Sequence, residues 1–344
     1  MRRSPANLQE TTMIRRRLLA RATTALAAST LAWVTASTVS AQPAAWPQRP
    51  IRLIVPFPPG GSADFLGRLV AEKLTVQSGW VVVVENRAGA AGNIGLDAVA
   101  RAPADGYTFG IGQTANMAIN PSLYAKMPFD PLKDLVPVAL VASQPMVVTV
   151  KADSPFRTMA DLVAAAKKRP DPMRVAFAGN GTVGHLAIEL LERRGGIALL
   201  NVPYKGAGPA VNDLRSGHVD FYIGNSVSVL GQVKGGSLRA LAVTSPARLP
   251  ALGDVPTLAE SGFPAFDAQT WSGVVAPAGT PPALVERMHA EVSKVLARPD
   301  VLEKFANEGS TAATGRTSTQ FGELIAREHK TWGDVVRQAN IQLD

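Results

Sequence analysis

Short apolar runs alternate along this chain with longer segments in which apolar residues recur every three or four positions. The run IRLIVPF at residues 51–57 is rich in β-branched residues, a composition that suits a strand buried on both faces of a sheet. It ends at PPGG, and from Phe65 to Leu74 the apolar residues fall at helical spacing. Ser62 stands where an N-cap is needed. This segment therefore predicts a strand, a glycine turn and a helix in succession.

The same alternation continues along the chain. Residues 80–86 and 107–112 predict two further strands with a helix between them. Residues 173–195 repeat the strand, glycine loop and helix of the first segment. Strands that alternate with helices at this spacing predict a doubly wound α/β sheet. In such sheets ligands bind outside the carboxyl ends of the strands.

A second series of elements starts near residue 143. The stretch Ser143–Thr149 carries a strand, and Thr158 and Asp161 predict a capping box at the start of a helix. Gly217 is expected to end a later helix. The last long helix is predicted over residues 319–339.

Composition and charge narrow the class of protein. The 344 residues are 46% apolar and 18% charged, which is ordinary for a globular protein. The absence of cysteine excludes disulfides, thiolate zinc sites and a cysteine nucleophile. Residues 1–41 hold six arginines against one glutamate, so most of the net charge of +8 belongs to this segment. No basic stripe is interleaved with aromatic residues, and we expect no nucleic-acid partner.

The N-terminal segment has the form of a signal peptide. Arginines at residues 15–17 precede a mostly small and apolar run, and residues 39–41 (VSA) supply the small side chains that signal peptidase requires. We expect residues 1–41 to be removed by cleavage near Ala41-Gln42, and the mature protein to reach the periplasm. The alternative is an uncleaved N-terminal helix. After Ala41 no apolar run approaches the ~20 residues of a membrane span.

Two glycine-rich loops, one near Gly61 and the other near Gly181, each precede a predicted helix. The start of a helix offers free N–H groups and the positive end of the helix dipole, so it binds anions. A single loop of this kind is common in α/β proteins and needs no ligand to explain it. Two such loops in separate parts of the chain suggest a clamp around one anion. A β-carbon at either glycine would then block close approach or require a disfavoured φ.

Phosphate and nucleotide ligands fit these loops poorly. PPGGSAD lacks the Gly-Lys-Ser/Thr of a P-loop. GNGTVG, at residues 179–184, matches G-x-G-x-x-G, but Asn201 stands where a dinucleotide site would need an acidic residue. A carboxylate needs only a few N–H and hydroxyl donors. The side chains placed to supply them are Ser62, Thr114, Thr182 and Asn225.

Catalysis and cofactors find little support in the sequence. There is no G-x-S-x-G elbow, and His218, His289 and His329 have no partner at metal-ligand spacing, so we expect no metal, no cofactor and no enzymatic activity. His185 is either a structural residue of a first helical turn or a cleft residue. Asp64 either caps its helix or contacts the ligand. Lys205 is either an exposed loop cation or a charge that steers an anion, and Trp271 either packs in the core or lines the cleft.

Five long stretches of the mature chain resemble the Bug family, the extracytoplasmic solute receptors of tripartite tricarboxylate transporters. The resemblance covers the chain from about Trp46 to the C-terminus, and the stretches follow the family's order. They read WPQRPIRLIVPFPPGGSADFLGRLVAEKL, VVVENRAGAAGNIGLDAVARAPADGYT, NPSLYAKMPFDPLKDLVPVALV, VPYKGAGPAVNDLRSGHVDF and LRALAVTSPARLPALGDVPTLAESG.

The resemblance implies a type II periplasmic binding protein, in which two α/β lobes are joined by two crossing strands and the ligand lies between them. Residues 46–143 and 262–344 would form lobe 1, and residues 144–261 would form lobe 2. It also implies a small carboxylated solute as the ligand and a permease of one large and one small integral membrane subunit as the partner. We expect a monomer. The loops that the resemblance assigns to the ligand are residues 58–64, 113–116, 179–185, 204–208 and 224–226.

The sequence thus predicts an exported receptor that captures a small organic anion. The rival functions are a sensory adaptor that presents its ligand to a membrane kinase and an exported hydrolase. Relatives often carry Asp-Asn where this chain has Tyr222–Asn225, which leaves the identity of the solute open. The residues expected at the ligand are Phe57, Gly60, Gly61, Ser62, Asp64, Thr114, Asn116, Gly181, Thr182, His185, Tyr204, Lys205, Gly206 and Asn225.

Overall fold

The structure, a computed structural model, describes residues 46–339 and 341–342, so the predicted signal peptide at residues 1–41 lies outside it. The chain from Arg49 onward forms one unit that holds all the elements named below. In this part of the chain no helix combines the length and hydropathy that crossing a membrane requires.

Ten strands are found among the described residues, most of them short and rich in β-branched side chains. They are β1 (Ile51–Val55), β2 (Val82–Asn86), β3 (Thr108–Gln113), β4 (Leu135–Lys151), β5 (Met173–Phe177), β6 (Leu199–Pro203), β7 (Phe221–Asn225), β8 (Leu238–Val243), β9 (Gln269–Pro277) and β10 (Thr311–Ala312).

Helices follow most of the strands, as the alternating pattern predicts. They are α1 (Ser62–Ser78), α2 (Asn93–Ala100), α3 (Asn120–Leu123), α4 (Met159–Lys168), α5 (Val183–Gly195), α6 (Ala207–Ser216), α7 (Ser226–Lys234), α8 (Pro282–Leu296), α9 (Pro299–Asn307) and α10 (Ser318–Ala339). A π-helical turn, Ala115–Ile119, joins β3 to α3, and short 3₁₀ turns cover Ala90–Gly92 and Pro250–Leu252.

Strand β4 takes part in two groups of strands. Its first part, Leu135–Pro145, pairs antiparallel with β9, and its last part, Met146–Lys151, pairs antiparallel with β7 and β8. We call β1, β2, β3, β9, β10 and the first part of β4, with helices α1 to α3, the first half. The second half comprises β5 to β8, the last part of β4 and helices α4 to α7.

The parallel strands of each half set the position of the loops. In the first half β1 lies between β2 and β3, and in the second half β5 lies between β6 and β7, with all neighbours parallel. Because parallel strands end at the same edge of a sheet, the loops after β1 and β3 come together, as do those after β5 and β7. These loops lead directly into α1, the π-helical turn, α5 and α7.

Several local predictions are confirmed. Thr158 and Asp161 form both bonds of the capping box at the start of α4. Gly217 ends α6 in the left-handed region, with φ of 80°. The last helix, α10, begins within one residue of its predicted start. The predicted α/β alternation of strands and helices is also present.

One local prediction is wrong, and one predicted strand is longer than expected. Ser62 is not the N-cap of α1, because Gly61 occupies that position and Ser62 is the first helical residue. Its hydroxyl instead accepts a hydrogen bond from Asn225 of the second half. The strand expected from Ser143 begins already at Leu135, because the first part of β4 is held by its pairing with β9.

A tight contact between α2 and the chain after β1 gives a test of the packing. A β-carbon at Gly95 would lie 2.7 Å from the Arg87 carbonyl oxygen and from Pro56 Cα, both of which are backbone atoms. We expect Gly95→Ala to lower the free energy of unfolding by about 1–3 kcal/mol, measured by urea denaturation. The matched control is Gly231→Ala in α7, where no atom lies within 4 Å of the added carbon. It should be neutral or stabilising by up to about 1 kcal/mol, and an equal loss in both variants would contradict the packing argument.

Candidate functional site

A small cleft lies between the two halves, where the loops after β1, β3, β5 and β7 meet. Six of the residues predicted for the ligand line it: Phe57, Gly61, Ser62, Thr182, Gly206 and Asn225. Its other polar lining comes from Gln113, Tyr222, Ser228 and Thr270. No charged side chain of the described residues lines the cleft.

Four helices begin at this cleft. The first residues of α1, α5 and α6 (Ser62, Val183 and Ala207) line it, and so does Asn225, the residue before α7. The first N–H groups of a helix have no partner within the helix, and the helix dipole places partial positive charge there. The cleft therefore attracts an anion without a lysine or arginine in its wall.

The glycines of the two loops differ in backbone conformation. Gly60 and Gly181 have φ of 86° and 80°, in the left-handed region that favours glycine. Gly61 has φ of −92°, so the disfavoured φ expected at this position is absent. A β-carbon at Gly181 would lie 2.5 Å from Asn120 Oδ1 of the first half, whereas at Gly61 the nearest atom would be 3.9 Å away.

The halves contact each other directly across the cleft. Asn225 Nδ2 donates a hydrogen bond of 2.7 Å to Ser62 Oγ. At Gly206, where φ is 109°, a β-carbon would lie 3.1 Å from Pro58 Cγ, so the loop before α6 touches the loop before α1. With the Gly181 contact to Asn120, these approaches describe a closed cleft.

Gln113 is a cleft residue that the sequence placed in a ligand loop but not among the ligand residues. It is the last residue of β3, and its Nε2 donates to Ser272 Oγ at 2.7 Å and to Ser62 Oγ at 3.4 Å. It ends its strand as Asn225 ends β7, and this shared position is the signal that could have identified it. Thr270 and Ser228 also line the cleft and were not predicted.

Thr114 and Asn116 lie behind the cleft instead of lining it. Both are fully buried. The Thr114 hydroxyl accepts a hydrogen bond from the Trp271 N–H at 2.9 Å, and Asn116 Oδ1 accepts from the Gln113 N–H at 2.9 Å. The turn after β3 therefore uses both side chains to fix its own backbone, and neither is part of the cleft lining.

Asp64 holds the loop before α1. Its carboxylate accepts hydrogen bonds from the Gly60 N–H, Arg68 Nε and Asn86 Nδ2 at 2.9–3.0 Å. Burial acts to raise the pKa of Asp64, but the hydrogen bonds from Arg68, Gly60 and Asn86 keep it below its ordinary value. Asp64 thus holds the loop before α1, which is the structural alternative that the sequence left open. Gly60 lies in the exposed part of the same loop, outside the cleft lining.

His185 supports the loop before α5. It is 7% exposed, its ring stacks on Phe177 with centroids 5.2 Å apart, and its Nδ1 accepts the Gly181 N–H at 3.4 Å. Burial lowers the pKa of His185 to about 4, so the ring is neutral at pH 7. Thr182, one turn earlier, caps α5 by accepting the His185 N–H and also lines the cleft. His185 itself does not line the cleft.

The remaining predicted residues line a second pocket or are buried in the core. Tyr204 and Lys205 line a separate outer pocket with Phe57 and Gly206. The Tyr204 hydroxyl donates to Asp213 at 2.6 Å, and burial together with this bond raises the pKa of Tyr204 to about 12. Trp271 is buried with its ring edge against Phe321, away from the cleft lining.

Metal binding finds no support in the part of the chain that the structure describes, where no three His, Asp or Glu side chains are grouped to hold an ion. The ligand chemistry available to the cleft is therefore that of N–H, hydroxyl and amide groups.

Comparison with known proteins gives consistent matches. Residues 66–341 match the model of the tripartite tricarboxylate transporter family receptor. The periplasmic binding protein BugD is 34% identical, with a TM-score of 0.82 over 86% of this chain and 99% of that one. An R. palustris protein solved with adipate is 35% identical, with a TM-score of 0.84 over 86% and 99% of the two chains. MatC from Rhodopseudomonas palustris with bound malate is 30% identical, with a TM-score of 0.80 over 85% and 100%.

The neutral state of His185 predicts a pH dependence of stability. The pKa of about 4 in the folded protein lies below the value of about 6.5 for an unfolded histidine, so the unfolded chain takes up the proton first as the pH falls. Stability from this group is present above pH 6.5 and is lost as the pH falls from about 6.5 toward 4. Urea denaturation at pH 6.5 and 4.5 measures how much the free energy of unfolding falls between these two pH values. In His185→Gln this fall should be smaller by about 1–2 kcal/mol.

The control for this prediction is His218→Gln, because His218 is exposed and paired only with Asp213 at the end of α6. In this variant the free energy of unfolding should fall between the two pH values by about as much as in the unmodified protein. An unchanged pH dependence in His185→Gln would show that His185 is already protonated or solvated in the folded state.

Proposed function

Because this chain belongs to the tripartite tricarboxylate transporter family of receptors, we propose that its cleft captures a small carboxylated organic anion for delivery to the membrane subunits of such a transporter. Family membership makes the chain a solute-binding receptor and not an enzyme, and it confirms the predicted fold of a periplasmic binding protein. The predicted resemblance to the Bug family is confirmed in the same way.

The observation that carries the ligand proposal is the meeting of four helix N-termini in a cleft without charged side chains. Backbone N–H groups and a few hydroxyls can hold a carboxylate, which carries one charge and two acceptor oxygens. A phosphate ester carries more charge, and the described cleft offers no cation to balance it. Relatives of similar fold solved with adipate and with malate support a carboxylate ligand here.

The proposed partner is a permease with one large and one small integral subunit, and the support for it is the tripartite composition stated in the family's description. We propose that residues 46–143 with 262–344, and residues 144–261, act as the two lobes of the receptor. The transfer of β4 from β9 to β7 and β8 at residues 145–146 supports this division.

The ligand proposal is tested by native mass spectrometry of freshly purified protein, followed by calorimetry with the compound identified. We expect a co-purified organic acid with one to three carboxylates. Malate and adipate are the first compounds to titrate. A nucleotide or phosphate ester as the only bound species would contradict the proposal.

Closure of the cleft should depend on the absence of a side chain at Gly181. In Gly181→Ala the β-carbon would meet Asn120 Oδ1 at 2.5 Å, so the closed state and the ligand affinity should weaken by about tenfold or more. The matched control is Gly196→Ala, which has φ of 57° at the far end of α5 with no atom within 4 Å of the added carbon.

The control should lose about 1 kcal/mol of folding stability through its backbone strain but keep its affinity. Calorimetry and thermal unfolding of both variants separate the two effects. Unchanged affinity in Gly181→Ala would remove this contact from the closed, ligand-binding state.

Export is tested through the N-terminus of the mature protein. We propose that residues 1–41 direct the chain to the periplasm and that the periplasmic form starts at Gln42 or within a few residues of it. Ala41→Phe, which places a bulky side chain before the cleavage site, should leave a longer precursor. N-terminal sequencing of the periplasmic fraction identifies the first residue of the unmodified protein and of the variant. A periplasmic unmodified protein that retains residue 20 would contradict cleavage at this site.

A further inference from the structure

Tyr222 and Gly224 stand two residues apart near the end of β7, so they lie on the same face of the strand. Both line the cleft. A β-carbon at Gly224 would overlap the Tyr222 hydroxyl oxygen and the ring carbon that carries it. The phenol ring therefore occupies the space that a side chain at position 224 would need, and glycine is required there for the ring to fit.

Packing within the second half fixes the ring in this position. Tyr222 is fully buried in a core cluster that includes Val147 of β4, Ala176 of β5 and Val229 of α7. A ring that is packed closely on several sides has no free space to swing into when a ligand enters. Because the ring also borders the cleft, it forms part of a solid wall and is not a free contact group.

The hydroxyl end of the ring is held by a chain of two hydrogen bonds. Ser228 Oγ donates to the Asn225 carbonyl oxygen at 2.6 Å, which uses its only hydrogen. The Tyr222 hydroxyl, 3.4 Å from Ser228 Oγ, is then the donor of the second bond. Burial raises the pKa of Tyr222 to about 12, so the phenol is neutral at pH 7. The wall formed by Tyr222 thus carries no charge and has no hydrogen left to offer to a ligand.

We propose that Tyr222 is a specificity-determining residue that limits the size of the ligand, because its ring fills the part of the cleft next to Gly224. The ring excludes any part of the solute that would extend toward β7, while the helix N-termini still hold the carboxylate. This inference rests on the proposed function and adds a size limit to its substrate class. It requires no hydrogen bond between Tyr222 and the ligand.

Calorimetry with a series of dicarboxylates tests the size limit on protein freed of co-purified ligand. The series is succinate, glutarate, adipate, pimelate and suberate, with 2-methylsuccinate and 3-methylglutarate as branched members. Tyr222→Leu removes the ring and keeps an apolar side chain, so the acid that binds most tightly should be larger by at least one carbon atom. Each further methylene group that the variant buries should add about fourfold to its affinity.

Two other substitutions of Tyr222 grade the effect. Tyr222→Phe keeps the ring, so the preferred size should be unchanged and the affinities should stay within about threefold. Tyr222→Met fills part of the ring's space with a flexible side chain, so it should shift the preferred size in the same direction as Tyr222→Leu but less far. It also supplies the measurement if Tyr222→Leu does not fold.

Phe221→Leu is the matched control. Phe221 is the neighbouring residue of β7, is equally buried and packs in a different core cluster, on the opposite face of the strand. It does not line the cleft. The control should lower the thermal unfolding temperature, as Tyr222→Leu does, but should keep the preferred ligand size of the unmodified protein.

The overlap between positions 222 and 224 gives a second test that needs no ligand. Gly224→Ala should lower the thermal unfolding temperature, because the added methyl group overlaps the phenol. In protein that already carries Tyr222→Leu or Tyr222→Met, the same change should lower it by much less. Equal losses with and without the ring would contradict the assignment of this space to Tyr222.

Two binding results would also overturn the inference. An unchanged preferred size in both Tyr222→Leu and Tyr222→Met would show that another residue limits the ligand. The same shift in Phe221→Leu would assign the change to a general loosening of the second half. If no carboxylate binds to the unmodified protein, the proposed function itself fails, which differs from binding with a size preference that does not depend on Tyr222.

Discussion

The arrangement of this receptor depends on the backbone hydrogen bonding of one strand, β4. Its first part is committed to β9 and its last part to β7 and β8, so a single strand serves both sheets. The register shifts near Pro137 and Leu140 and again near Val148, and such irregularities bend and twist a strand locally. Because β4 is shared, the carboxyl ends of the parallel strands in the two halves face each other across the cleft.

The second organising feature is that the charged side chains of the described residues lie outside the cleft wall. The Asp64–Arg68 ion pair holds the loop before α1, and the pairs of Glu85 with Arg52 and Arg87 lie on the partly exposed surface of β1 and β2. The cleft wall is left to backbone N–H groups, hydroxyls and amides, whose positions the helices fix. A binding site built from fixed dipoles needs little reorganisation when an anion enters. The charged side chains therefore act on the ligand indirectly, by fixing the loops that carry the donors.

Sequence patterns predicted the loops well but the direction of individual side chains poorly. The paired glycine loops could be found because glycine and helical periodicity mark a strand-to-helix turn. Thr114 and Asn116 follow β3 closely, yet both side chains turn inward, while Gln113 one position earlier faces the cleft. Gln113 is the last residue of its strand, and the chain enters the π-helical turn almost at once, so the alternation of side chains along the strand could not be extended to Thr114 and Asn116. His185 was ambiguous for a similar reason, since its role depends on Phe177, which is close in space but not in the local pattern.

Gly181 and Gly206 affect how closely the two halves approach each other, because the atoms opposite them belong to the Asn120 and Pro58 side chains of the first half. Neither glycine carries a side chain of its own, so only the Asn120 side chain and the Pro58 ring have to be ordered at these two contacts. The separation of the two halves at these points is then set by two side chains of the first half meeting bare glycine backbone of the second half. A methyl group added at either glycine, with a C–C bond of about 1.5 Å, would increase the distance between the two halves. Alanine at either position would thus widen the space between the halves while leaving the donors of the cleft in place.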